Sequence, residues 1–224
     1  TLIGAVSPSG GDFTEPVTTH TMRFIKTFWA LDAKLAYSRH YPSINWMNSY
    51  SGYLGDIAKW WGENISEDWF GIRNEAYGIL QREDTLKEIV KLLGPDALPD
   101  EEKLILEIAR MVKIGLLQQN SFDDVDTYCS PEKQFKLLKL VVDFYKLGQQ
   151  SLKEGTPLAS IRELPVVTSL LKARMDIKDD EMPKLDQLEI DMKEQFKNIS
   201  GVKVKNWPLK AEFNTARLLK LKDH

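Results

Sequence analysis

The sequence predicts a mainly α-helical fold, in which a helical bundle follows the edge of an α/β domain. After Trp46, apolar residues recur at intervals of three and four through most of the chain, which is the period of an amphipathic helix. Glycine and proline cluster between these stretches, where they end helices. Residues 1–6 form a short apolar run typical of one strand, with no hairpin partner nearby.

Residues 7–46 are the segment around which the rest is organised. Residues 7–17, SPSGGDFTEPV, contain two glycines and two prolines, which predicts a loop. Residues 18–39 contain neither and carry apolar residues at helical spacing, which predicts one helix capped by Thr18 or Thr19. Pro42 ends it, because the residue before a proline is disfavoured in the α region.

The remaining chain is predicted to be helical, with a turn at residues 48–55. Expected helices cover residues 56–61, 67–93, 100–119, 131–154 and 183–196, with shorter ones between 158 and 175. Ser66 is the expected cap of the helix at residues 67–93, and Ser130-Pro131 is a strong start signal for the helix at residues 131–154. In the tail, residues 201–224, Val202 and Val204 alternate with Lys203 and Lys205 as in a short strand, and the tail has no assigned role.

Composition excludes several classes of protein. The 224 residues carry a net charge of −3 without a dominant lysine–arginine block, so nucleic acid is not an expected partner. The single cysteine, Cys129, excludes an internal disulfide framework. No apolar run approaches the ~18 residues that span a bilayer, so membrane attachment is expected only through partners.

The residues alone predict no catalytic and no metal-binding residue. The phosphate-binding motif GxxxxGK[ST] is absent. Asp143 ends an apolar pair in the manner of a magnesium ligand, but it lies in the middle of an expected helix. Aspartates 123, 124 and 126 lack the glycine and the terminal glutamate of a calcium loop. The three histidines have no metal-ligand spacing.

Three motifs in order carry a family resemblance: SPSGGDFTEPV, KTFWALD and RHYPSINW. With the sequence that follows to about residue 188, they resemble the catalytic A subunit of archaeal and vacuolar rotary ATPases. The resemblance implies that residues 1–17 hold the last strand and loop of a nucleotide-binding domain. It makes residues 18–200 the C-terminal helical domain, leaves 201–224 as a tail, and implies that the chain is a fragment.

The resemblance also implies an adenine pocket. In this family an aromatic residue at the position of Tyr41 and another at that of Phe122 flank the adenine ring. The family usually has Phe where Tyr41 stands, and a phenol ring stacks equally well. From the residues alone, the alternative is that both rings plug helix ends in the core.

Acidic residues suggest two further roles. Residues 94–103, GPDALPDEEK, resemble the acidic loop that catalytic subunits of the related F-type enzyme press against the rotor shaft; Asp96, Asp100, Glu101 and Glu102 supply its charge. The alternative is an ordinary solvated helix start. Asp12 and Glu15 either face the active site or stabilise their turn.

The function implied by the resemblance is part of a rotary ATP synthase that couples ATP synthesis or hydrolysis to proton or sodium transport. ATP or ADP with Mg²⁺ would bind the full subunit. The partners would be B subunits and central-stalk subunits, on the cytoplasmic face of the membrane. The chain alone, without a P-loop, is expected to be inactive. The alternatives are a B-type or paralogous ATPase subunit, and a free helical interaction domain.

Overall fold

The computed structural model describes residues 2–200, which form helices and one short antiparallel pair of strands. The helices are α1 Pro16–Phe24, α2 Ala33–Tyr37, α3 Leu54–Asn64, α4 Trp69–Leu93, α5 Asp100–Val112, α6 Pro131–Lys153, α7 Leu158–Arg162, α8 Pro165–Asp176 and α9 Met182–Ser200. The strands are β1 Thr27–Phe28 and β2 Tyr50–Ser51. The predicted mainly α fold is confirmed.

The core is formed by α4, α5 and α6, and α8 and α9 also pack against α6 and against each other. The buried residues of α5 recur three and four positions apart on one face, and Ile108 and Ala109 are fully inaccessible to solvent. On α6, Phe144 meets Phe196 of α9 edge to face, with ring centroids 5.0 Å apart. These residues are the apolar stripes that the helical period predicts.

The predicted ends of α4 and α6 hold with small shifts, but α5 ends at Val112 and is followed by the helical turn Lys113–Leu117 instead of continuing to residue 119. Gly94 follows α4 with a φ of 81°, a conformation that favours glycine. Ser130 caps α6, its Oγ accepting from the Lys133 N–H at 3.3 Å, with Pro131 at the first helical position. Ser66 lies before α4 and accepts from the Asp68 N–H at 3.2 Å, so it stabilises the preceding turn instead of the helix end.

The single helix predicted over residues 18–39 is wrong. The structure has α1, then β1, then the five-residue α2. Phe28 pairs with Tyr50 of β2, and their rings lie 5.8 Å apart. This strand pairing supplies the backbone and aromatic contacts that a continuous helix would forgo. The cap assignment changes too, because Glu15, and neither threonine, caps α1.

Two smaller expectations also differ from the structure. Residues 2–6 are not a strand: Leu2 and Ile3 are 95% and 84% exposed, and a strand needs a neighbour to satisfy its backbone groups. The helix expected at 56–61 is longer and passes through Gly62. The tail, residues 201–224, lies outside the described residues.

Candidate functional site

Tyr41 lies in a tight turn after α2. Arg39 has a φ of 58°, the His40 N–H donates to the Leu35 carbonyl at 2.9 Å, and the Tyr41–Pro42 peptide bond is cis. The side chain of Tyr41 is exposed, and the residue retains 53% of its accessible surface. The turn therefore presents an aromatic ring at the surface instead of burying it.

Phe122 lies in the loop between α5 and α6, called here the 118–127 loop. It is 96% exposed, and its N–H donates to the side-chain oxygen of Asn120 at 3.1 Å. One backbone hydrogen bond joins this loop to the Tyr41 turn: the Gln119 N–H donates to the Tyr41 carbonyl at 2.7 Å. Two residues far apart in sequence are thus carried by neighbouring surface segments, and neither ring is in the core.

A charged cavity lies beside the Tyr41 turn, between α2, α4 and the helical turn Lys113–Leu117. Its 450 Å³ are lined in part by His40, Trp46, Glu83 and Lys113. Glu83 pairs with Lys113 and also, at 3.0 Å, with Lys87. Burial lowers the pKa of His40, and the charge of Lys113 lowers it further, so the imidazole stays neutral near pH 7. Sequence reasoning missed this group, although Glu83 interrupts the apolar stripe of α4.

The acidic residues of the 94–103 loop lie at the start of α5. Asp96, Asp100 and Glu101 are exposed, Glu102 is half-buried, and Leu98 between them is buried and anchors the loop in the core. Lys103 lies 3.7 Å from Asp100, a separation at which an exposed pair contributes little. The last turn of α4 adds exposed apolar surface at Leu92 and Leu93, which are 84% and 70% exposed.

Asp12 and Glu15 stabilise turns in the structure. Asp12 Oδ1 accepts from the hydroxyl and the N–H of Thr14 at 2.6 and 2.9 Å, and these bonds lower the pKa of Asp12. Glu15 accepts from the Thr18 N–H at 3.0 Å, and this bond lowers the pKa of Glu15. Both carboxylates are therefore held ionised in local structure.

The motifs that imitate metal sites have structural partners. Asp143 is buried on α6 and pairs with Lys139 at 2.5 Å. Asp126 is buried in an ion pair with Arg174. Over residues 2–200 no cluster of three or more histidine, cysteine or carboxylate side chains is arranged to hold a metal ion. In the same range no helix combines the length and apolar character needed to cross a bilayer.

Two stretches of the chain match known protein families. Residues 1–51 match the nucleotide-binding domain of the ATP synthase alpha/beta family. Residues 58–162 match the C-terminal domain of V and A type ATP synthases. The helical bundle and these matches place the chain in the family of V- and A-type ATP synthase subunits.

Individual relatives narrow this class. The chain is 52% identical over 205 residues to the A subunit of the A-type ATP synthase of Hyperthermus butylicus, covering 91% of this chain and 34% of the relative. It is 45% identical over 198 residues to the V-type ATP synthase alpha chain of Halothermothrix orenii, covering 88% and 34%. The chain belongs to the family of A-type ATP synthase A subunits, and it spans about a third of these relatives' length.

One solved structure shares the fold. An ATP synthase subunit, NeqB, from Nanoarcheaum equitans superposes with a TM-score of 0.51 at 21% identity, covering 60% of this chain and 33% of that one. The match supports the helical architecture alone.

Proposed function

We propose that this chain is part of the catalytic subunit of a rotary ATP synthase and supplies two aromatic walls of its adenine site. The observation that carries the proposal is the hydrogen bond from Gln119 to the Tyr41 carbonyl, which brings together two segments whose rings are exposed. ATP or ADP with Mg²⁺ binds in the full subunit, on a phosphate-binding loop that this sequence does not contain.

Stacking is the chemistry that these rings offer. An exposed ring presents its face to a ligand, and base–aromatic stacking is worth ~1–3 kcal/mol per base. The backbone bond at Gln119 limits the relative movement of the turn and the loop, so less ordering is required on binding. Tyr41 and Phe122 bind the adenine, and phosphate contacts from elsewhere in the subunit supply most of the affinity.

Nucleotide binding to an intact subunit tests this proposal. Removing either ring, in Tyr41→Ala or Phe122→Ala, should weaken equilibrium ADP binding about tenfold, since ~1.4 kcal/mol corresponds to one decade. Tyr37→Ala and Tyr128→Ala are matched controls, because both remove exposed rings from neighbouring positions and should leave the affinity unchanged. Unchanged affinity in the first two variants, with native helical content, would overturn the adenine assignment.

The 94–103 loop is proposed to contact the central stalk. Its support is the exposed acidic start of α5 beside the exposed apolar end of α4, a combination suited to a basic, partly apolar partner. Cysteines replacing Asp96 or Glu101 in the assembled enzyme should crosslink to a central-stalk subunit. The control is a cysteine replacing Glu194, an exposed acid on α9; crosslinks from the loop only to other subunits argue against the contact.

The domain division and cellular placement are also proposals. The first family match ends at residue 51 and the second begins at residue 58. Strand β2, which pairs with β1, ends at Ser51. We therefore propose a division there instead of at residue 17. The subunit would pack against B subunits and lie on the cytoplasmic face of the membrane as a peripheral part of the complex.

A further inference from the structure

We propose that Arg174, on α8, is a positioning residue for the nucleotide site, because its ion pair with Asp126 holds the 118–127 loop against the Tyr41 turn. This inference rests on the proposed adenine role of Phe122. Arg174 would touch no nucleotide and would act through the loop.

The ion pair is almost completely buried. The side chains of Arg174 and Asp126 keep 5% and 0% of their accessible surface, and the guanidinium Nη1 contacts the carboxylate Oδ1. Removing two charges from water is costly, and well-packed apolar residues often stabilise a fold as well as a buried ion pair does. Stability alone therefore does not explain a buried ion pair at this place. The alternative role of the pair is to fix one arrangement of the 118–127 loop.

Asp126 transmits this anchoring to the loop through both its side chain and its backbone. Its second carboxylate oxygen, Oδ2, accepts from the Asn120 N–H at 2.6 Å, a short charge-assisted bond. Its carbonyl accepts from the side-chain amide of Gln119 at 2.8 Å. The Gln119 N–H in turn donates to the Tyr41 carbonyl.

The position of the loop tip, which carries Phe122, depends on these contacts of Asp126. The Phe122 N–H donates to the Asn120 side chain, and the Phe122 ring is exposed. Over residues 2–200, Asp123 bonds only within the loop, and its carboxylate accepts from the N–H groups of Val125 and Asp126 at 3.0 and 2.9 Å. Among the described residues, the ion pair with Arg174 connects the side chain of Asp126 to a helix, α8.

A double-mutant cycle on an intact subunit tests the inference. Arg174→Met should weaken equilibrium ADP binding at least about threefold when Phe122 is present, the range of coupling seen between connected residues. In the Phe122→Ala background the same substitution should cause no further loss. A role in general fold stability would produce the same loss in both backgrounds, and that result would overturn the inference.

Three companion variants sharpen the test. Arg174→Lys keeps the charge without the planar fork and should bind ADP with intermediate affinity. Lys133→Met removes another fully buried cation, which pairs with Asp179 at 3.5 Å, and should leave the affinity unchanged. If Arg174→Met does not fold, Asp126→Asn replaces it. Asp126→Asn should weaken ADP binding when Phe122 is present and cause no further loss in the Phe122→Ala background.

The outcomes separate this inference from the adenine proposal. If Phe122→Ala weakens binding and Arg174→Met matches wild type, the positioning role is overturned and the adenine site stands. If Phe122→Ala leaves the affinity unchanged, the adenine role fails, and the inference falls with it.

Discussion

Gly148 lies on α6 where this helix packs against α5, and replacing it by alanine tests how tightly the two helices fit. A Cβ at this position would lie 3.1 and 3.3 Å from the two methyl carbons of Leu104. Leu104 is itself 1% exposed in the core, so it has little room to move. Gly78 on α4 is the matched control, because a Cβ there meets no atom within 4 Å.

Both substitutions gain stability by replacing a glycine inside a helix, and only Gly148→Ala also has a steric cost. Alanine in place of glycine inside a helix gains about 0.5–1 kcal/mol. At Gly148 that gain is opposed by overpacking, which costs roughly 1–3 kcal/mol in a packed core. We expect Gly78→Ala to raise the free energy of unfolding, and Gly148→Ala to lower it or leave it unchanged, with a difference of ~1–3 kcal/mol between the variants.

Urea unfolding of the 224-residue chain, followed by far-ultraviolet circular dichroism, measures both free energies of unfolding. Adding Leu104→Val, which shortens the crowding side chain, should relieve the penalty and make Gly148→Ala less harmful than in the wild-type background. If Gly148→Ala stabilises the chain as much as Gly78→Ala does, Leu104 moves freely, and the tight packing of α6 against α5 at Gly148 is refuted.

Three further predictions concern charge, capping and activity. Burial lowers the pKa of Lys113 from 10.5 to about 8, so between these pH values the unfolded state binds more protons than the folded state. The free energy of unfolding should therefore rise from about pH 8 to 10 relative to that of Lys113→Met. An equal pH dependence in the wild type and the variant would contradict this. Ser130→Ala should cost about 1 kcal/mol by removing the cap of α6, whereas Ser169→Ala, at an exposed position inside α8, should not destabilise the chain. The isolated chain should release no phosphate from ATP above a buffer blank, because the lysine and the backbone amides of a P-loop are missing.

The long helices were predictable because their signals are local. The apolar period of α4, α5 and α6 and the stop at Gly94 can be read within a few residues of each element. The break between α1 and α2 was not, because it depends on Phe28 pairing with Tyr50 more than twenty residues later. Helical spacing in that segment gives no indication of such a non-local contact.

The candidate site shows the same limit. The sequence indicated Tyr41 and Phe122 through a family resemblance, and the surrounding turn and loop chemistry agrees with exposed rings. It did not indicate the pairing of Arg174 with Asp126, or of Lys113 with Glu83. Each of these pairs joins charged residues on separate elements, and only tertiary packing brings them together.

Photolabelling an intact subunit with ADP that carries an azide on its adenine ring is the sharpest test of whether Tyr41 and Phe122 flank the base. The reactive group is on the base, so the labelled peptides identify the residues around it. We expect label on the peptides that contain Tyr41 and Phe122, and this label should be lost when excess unmodified ADP competes. Label confined to other peptides, with the same competition by ADP, would contradict it.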